Sequence, residues 1–141
     1  MKYRVGKYDV GSVWDDDLAR AITPGKRDFT TKRRHLDALS HIAEKHGAGK
    51  ALSNFIIGLE PLESLKAGAT YMAERGIIPV ASVWMPFGKP VMGSMKAPDV
   101  DYFRAVKEML AGLYIKYDLE PAGGNGLNVC VDRDIWKWAK Q

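Results

Sequence analysis

Asn54, Gly58 and Glu60 punctuate the run Ser53-Asn54-Phe55-Ile56-Ile57-Gly58-Leu59-Glu60-Pro61 and set polar chemistry at the end of an apolar, β-branched stretch. A carboxamide between apolar neighbours must find hydrogen-bond partners if it is buried. A glycine lets the backbone approach a ligand closely. Pro61 then opens a helical pattern through Arg75, and after Gly76 the design recurs: Ile77-Ile78-Pro79-Val80-Ala81-Ser82-Val83 runs into the loop Trp84-Met85-Pro86-Phe87-Gly88. Strand, loop, helix, strand, loop, helix is the order of βα units around a parallel sheet. Ligands in such folds bind at the carboxyl ends of the strands, where both loops fall. An ordinary buried strand with a turn glycine accounts for the first run equally well.

Other residues able to do chemistry have competing structural readings. Ser12 can offer a neutral hydrogen bond at the end of a first strand, or cap a helix over residues 14–21. Arg20 carries a fork of donors suited to a carboxylate, and an exposed helix arginine reads the same; Lys26 stands similarly. His35, His41 and His46 do not share a helix turn in a metal-ligand pattern, the first two being six positions apart on different faces. Cys130, between Val129 and Val131, reads as a small buried hydrophobe. Gly123-Gly124-Asn125-Gly126 lacks phosphate-loop spacing and reads as a turn. Met85, Met92 and Met95 suit either a flexible lid or loop packing.

The elements that must position these groups follow from periodicity and punctuation. Strands are expected at Tyr3–Val10, Ala51–Gly58 and Ile77–Val83, with Pro79 arguing for an edge or an irregular start. Asp15-Asp16-Asp17 suits the first turn of a short helix that stops by Thr23. Thr30 or Thr31 caps the next helix, which buries Leu36, Leu39, Ile42 and Ala43 and ends at Gly47 or Gly49. The helix Pro61–Arg75 has Pro at its first position and buries Leu62, Leu65, Ala69, Met72 and Ala73. Pro98 starts the longest helix, whose apolar face runs from Val100 and Phe103 through Val106, Leu110, Leu113 and Tyr114 to Tyr117. A glycine-rich tail follows, then a short amphipathic piece with Ile135, Trp136 and Trp138.

With these residues in place, the chain resembles the second half of the core of the radical SAM (S-adenosylmethionine) enzymes. Asn54-x-Ile56-x-Gly58 is similar to the first part of that family's Gly-x-Ile-x-Gly-x-x-Glu signature on the fifth core strand. Asn54 stands for the first glycine and Pro61 for the glutamate, with Glu60 and Glu63 on either side. Pro86-Phe87-Gly88-Lys89-Pro90-Val91-Met92-Gly93-Ser94-Met95 resembles the Pro-Phe-x-Pro-x-x-Gly-Ser/Thr loop after the sixth strand. Val13-Trp14-Asp15-Asp16-Asp17-Leu18-Ala19-Arg20, with Pro24-Gly25-Lys26, resembles the segment after the fourth strand in one branch, where Ser12 stands in place of a glutamate.

The resemblance implies an α/β fold with a parallel-sheet partial (half) TIM-type barrel of repeated βα units over residues 1–120, and a tail over 121–141 packing on or extending it. It implies that the strand Ala51–Gly58 passes beside the adenine of SAM, with cofactor contacts from Ser12, Arg20, Asn54, Ile56, Gly58, Trp84 and Met85. The implied reaction is reductive cleavage of SAM to a 5′-deoxyadenosyl radical, followed by hydrogen abstraction from a small-molecule substrate. The family's [4Fe-4S] cluster is held by Cys-x3-Cys-x2-Cys, and this chain has one cysteine, Cys130. A cubane needs about four ligands, so a cluster is expected only through residues outside this chain. The alternative is a non-catalytic α/β binding or assembly subunit derived from the same scaffold, and a third option is an unrelated βα-repeat enzyme with an anion site at its strand ends.

Composition bounds the rest. The 141 residues suit one domain with a sizeable core. A hydrophobic fraction of 46% and a charged fraction of 27% are those of a soluble globular protein. No apolar run approaches the ~20 residues of a membrane span. The lack of a signal-peptide pattern and the single cysteine point to the cytoplasm. The net charge of +4 is dispersed, without the aromatic and basic interleaving of single-strand binders, so nucleic acid is not the expected partner. Three strands cannot close a barrel, and an open edge must be covered. Either the tail folds back, or the missing N-terminal half, a partner subunit or a second copy covers it; the short tail favours a partner.

Overall fold

The computed structural model describes residues 13–25, 31–84, 96–121 and 131–141. Its described elements run in the order α1 (Asp16–Ile22), α2 (Lys32–His46), β1 (Ala51–Ile57), α3 (Leu62–Ala73), β2 (Ile77–Val83), α4 (Val100–Lys116) and α5 (Asp132–Ala139). β1 and β2 form a parallel pair in register from Ala51↔Ile77 to Ile57↔Val83. The fold is therefore α/β, with α3 as the crossover. The expected strand Tyr3–Val10 lies outside the described residues.

Local signals start and stop these helices. Asp15 caps α1, its Oδ1 accepting the Leu18 N–H at 2.7 Å. Thr31 caps α2 through the Arg34 N–H, and Gly47 ends that helix at φ +96°. Asp99 caps α4 by accepting the Tyr102 N–H at 2.9 Å. Each cap satisfies an N–H that the first turn leaves unbonded.

These caps correct several expectations. Asp15, not Ser12, caps the first helix. Pro61 is the residue before α3 rather than its first, and Pro98 likewise precedes the cap of α4. Val100, expected on the apolar face, is 70% exposed, because Tyr102 and Phe103 are the residues of the first turn of α4 that pack against the core. The buried face of α4 is Val106, Leu110, Ala111 and Tyr114.

Strand alternation divides the sheet into two unlike faces. Ala51, Ser53, Phe55 and Ile57 are buried, while Leu52, Asn54 and Ile56 are half-buried. The Ser53 side is covered: His35 of α2 brings its Nε2 to 3.5 Å from the Ser53 Oγ, and both residues are buried. The Ile56 side is met at its carboxyl end by the small cluster of Val13, Ala19 and Leu59, with Leu18, Ile22 and Trp84 packed around it.

The outer edge of β2 is also engaged. The Trp84 N–H donates to the Ile57 carbonyl, so even-numbered peptides of β2 face β1 and odd-numbered ones face away. Pro79 is odd-numbered, and its missing N–H costs the β1–β2 ladder nothing. Its carbonyl accepts the Tyr114 hydroxyl at 2.6 Å, and the next outward carbonyl, Ala81, accepts the Val131 N–H at 3.1 Å. α5 packs on α4 and buries Ile135. The chain's own tail thus occupies part of an edge for which a partner had been favoured.

Candidate binding site at the carboxyl ends of the strands

The candidate rim is built on the carboxyl half of β1, from Asn54 onward, and the end of β2. Asn54 and Ile56 project from the half-buried face, and Ser82 and Trp84 follow on the neighbouring strand and just past it. The Ser82 hydroxyl donates to Asn54 Oδ1 at 2.8 Å. That bond engages the amide oxygen of Asn54, whose NH2 carries its two donors. Ile56 and Trp84 share the apolar cluster under α1.

Gly58 turns the chain out of β1 at φ +103°, a region that L side chains rarely adopt. A Cβ there would also meet Pro98 at 3.4 Å. The Gly58 N–H donates to the Tyr102 hydroxyl at 3.3 Å, and the same hydroxyl donates to the Glu60 carbonyl at 3.0 Å. Burial pushes the Tyr102 phenol above its ordinary pKa; the Gly58 hydrogen bond pulls the other way and the Glu60 charge adds to the rise.

Glu60, noted in the sequence only as a carboxylate beside the family's glutamate position, has a structural role that the sequence did not assign. Its carboxylate is buried and accepts from the Trp14 N–H at 2.9 and 3.0 Å, the Asp15 N–H at 3.3 Å and the Ser64 hydroxyl at 2.7 Å. Hydrogen bonds to a charged acceptor are worth roughly 1.5–3 kcal/mol each. The carbonyl of Trp14 is held as well, by Lys32 Nζ at 2.7 Å, and the same ammonium lies 3.7 Å from the Trp14 ring centroid. The Trp14 ring rests on Gly68 and beside Tyr71. A charge at each end of one peptide thus fixes the entry to α1. The available signal was a glutamate two residues after a strand-end glycine, one position from where the family motif expects it.

The remaining candidates are placed as follows. Arg20 points from α1 to solvent and pairs with Asp17 at 3.2 Å, so it is not brought to Asn54 in this arrangement. Ser12 and Met85 lie outside the described residues, as do Lys26, Cys130 and the Gly123–Gly126 turn. On the opposite face of the sheet, Ile57, Val83, Phe103, Val106, Ile135 and Trp138 line a cavity of about 540 Å³. Its wall is mostly apolar, and Lys107 and Asp134 also line it.

Among the described residues no group of three or more His, Cys, Asp or Glu is placed to hold a metal ion. No described helix is long and apolar enough to cross a membrane.

No family model matches the chain, and no solved structure matches it. The chain is 31% identical over 106 residues to the bacteriochlorophyllide c C-7(1)-hydroxylase of Chlorobaculum limnaeum. The matched stretch is 74% of this chain and 26% of the hydroxylase, so this chain spans about a quarter of that relative's length.

Proposed function

We propose that this chain is the C-terminal part of a radical SAM enzyme: residues 1–120 belong to a partial (β/α) barrel, residues 121–141 are a tail on it, and the chain contributes SAM and substrate contacts. The observation that carries this reading is the position of the Asn54-x-Ile56-x-Gly58 motif. It lies on a parallel strand, runs to its carboxyl end, and closes with a positive-φ glycine. The named activity of the relative supports it, because hydroxylation at a carbon position requires a C–H bond to be opened.

The residues present fit SAM and do not fit the cluster. Ile56 and Trp84 offer an apolar seat for a purine, and the Asn54 NH2 offers it a donor. SAM supplies a carbon radical for hydrogen abstraction; orienting it and excluding water are the protein's share. One cysteine in the whole chain cannot hold a cubane. The cluster therefore belongs to residues outside this chain, in a missing N-terminal half or a partner subunit, and both would work in a reducing cytoplasm.

The test is an in-frame Cys-x3-Cys-x2-Cys segment upstream of the Met1 codon, co-expressed with this chain and purified without oxygen. The expected complex holds about four irons and forms 5′-deoxyadenosine from SAM on reduction. A gene without such a segment, together with a chain that binds no SAM, removes the reading. The second reading, a non-catalytic α/β binding or assembly subunit, is favoured by the single cysteine, which cannot hold a cluster in this chain.

A further inference from the structure

We infer that Glu60 is the positioning residue of the rim: its buried carboxylate seats α1 over Ile56 and Trp84 and so builds one wall of the ligand site. The inference rests on the nucleoside-binding reading above and deepens it. The physical case begins with α1 itself. It has seven residues, too few to persist in water without tertiary support. Its apolar support is the small cluster of Val13, Ala19 and Leu59 with Leu18, Ile22, Ile56 and Trp84. That cluster forms only if residues 13–15 enter at one angle.

Glu60 sets that angle. Both its oxygens accept the Trp14 N–H, Oε2 also accepts the Asp15 N–H, and Asp15 in turn caps α1 through Leu18. Glu60 is itself held from two sides, at its carboxylate and at its backbone. Ser64 donates to it from the first turn of α3, and Tyr102 of α4 binds the Glu60 carbonyl and the Gly58 N–H. One loop therefore serves two ends: Gly58 shapes the rim, and two residues later Glu60 hangs α1 beside it. Any movement of α1 changes the wall next to Ile56 and Trp84, while the β1–β2 ladder has its own bonds and does not depend on it.

The experiment compares the full chain with its Glu60→Ala and Glu60→Gln variants by amide hydrogen exchange and by titration with SAM. Gln keeps the volume and one acceptor oxygen, so it guards against simple misfolding in the Ala variant. Expected in Glu60→Ala is exchange over residues 13–22 faster by roughly tenfold or more, as the loss of one or two charge-assisted bonds implies. Gln should be intermediate, residues 51–57 should keep their protection in both, and SAM affinity should fall in the same order. A merely structural role would instead loosen β1 and α1 together. Unchanged exchange over 13–22 overturns the inference, and so does a freed α1 with unchanged SAM affinity. If the unaltered chain binds no SAM, the nucleoside reading fails, and the seating role stands or falls on the exchange pattern alone.

Discussion

The ring of Trp14 occupies the space a side chain at Gly68 would fill: a Cβ built on Gly68 lies 2.7 Å from two atoms of the indole. Gly68 is inside α3, where glycine costs about 1 kcal/mol relative to alanine. The helix carries that cost so that the segment leading to α1 can lie against it. The stack continues outward, with Trp14 and Tyr71 centroids 5.4 Å apart and the Arg75 guanidinium 3.5 Å from the Tyr71 ring centroid.

Gly68→Ala and Gly112→Ala should therefore have opposite effects. Nothing lies within 4 Å of a Cβ at Gly112 in α4, so that substitution gains helix propensity of up to about 1 kcal/mol. Gly68→Ala forces the Trp14 ring to move, an overpacking cost of about 1–3 kcal/mol that outweighs the same gain. Urea unfolding of the two variants measures both signs. A stabilised Gly68→Ala chain would show that Trp14 does not rest there.

Asn54 and Ser82 form the polar pair of the rim, and a double-mutant cycle should find them coupled. Their 2.8 Å bond joins adjacent strands, and a net value of about 0.5–1.5 kcal/mol is ordinary for such a bond. Asn54→Ala and Ser82→Ala should each destabilise, and the double variant by less than their sum. Strict additivity in chemical denaturation would deny the bond. SAM titration of the same set asks a separate question, since Asn54→Ala removes the NH2 donor and Ser82→Ala only its orientation.

How much of this was legible in the sequence follows from distance along the chain. The β-branched runs gave β1 and β2, the pairs Thr30 or Thr31 and Gly47 or Gly49 bracketed the ends of α2, where Thr31 and Gly47 are the caps, and Gly76 gave the turn into β2, all within a few residues of the signal. The placing of Asn54, Ile56, Gly58 and Trp84 along one end of two parallel strands followed from the βα order. The Glu60–Trp14 contact spans 46 residues and has no period, so a pattern could not show it. Gly68 drew no reading from the sequence, because the ring that needs it, Trp14, belongs to a segment far earlier in the chain. His35 was set aside for lacking a metal-ligand pattern, and it is instead a core residue beside Ser53. Val100 was read by helical period alone, and period does not say which residues of a helix's first turn meet the core.

Tyr102 should make stability depend on alkaline pH. Burial favours its neutral phenol, so the folded pKa lies above the unfolded value of about 10. The folded state then holds its proton where the unfolded state has lost it. This contribution is complete below pH about 10 and is lost as pH rises through the folded pKa. Tyr102→Phe removes it, and at neutral pH costs about 1–2 kcal/mol through the lost partner of the Gly58 N–H and the Glu60 carbonyl. The gap in urea midpoint between wild type and Tyr102→Phe should be widest near neutrality and narrow in strong alkali. A gap that stays constant past the titration would mean the phenol is not buried as a donor.

The last prediction separates this chain from the chemistry proposed for it. A [4Fe-4S] cubane needs about four protein ligands, or three with one iron left open to substrate. The sequence supplies a single cysteine, and no described cluster of His, Asp or Glu could replace the missing thiolates. Reconstituted anaerobically with iron and sulfide, the isolated chain should show no cubane absorption and form no 5′-deoxyadenosine from SAM. SAM binding is a different matter, since the Asn54 rim needs no metal to offer a donor and an apolar seat. A chain that binds SAM without iron and never cleaves it is the expected combination. About four irons per chain, in a species shown by sedimentation to be a monomer, would overturn the assignment of the cluster to residues elsewhere. About two irons per chain in a dimer would instead mean that two copies share one cubane, and Cys130→Ser would then abolish it.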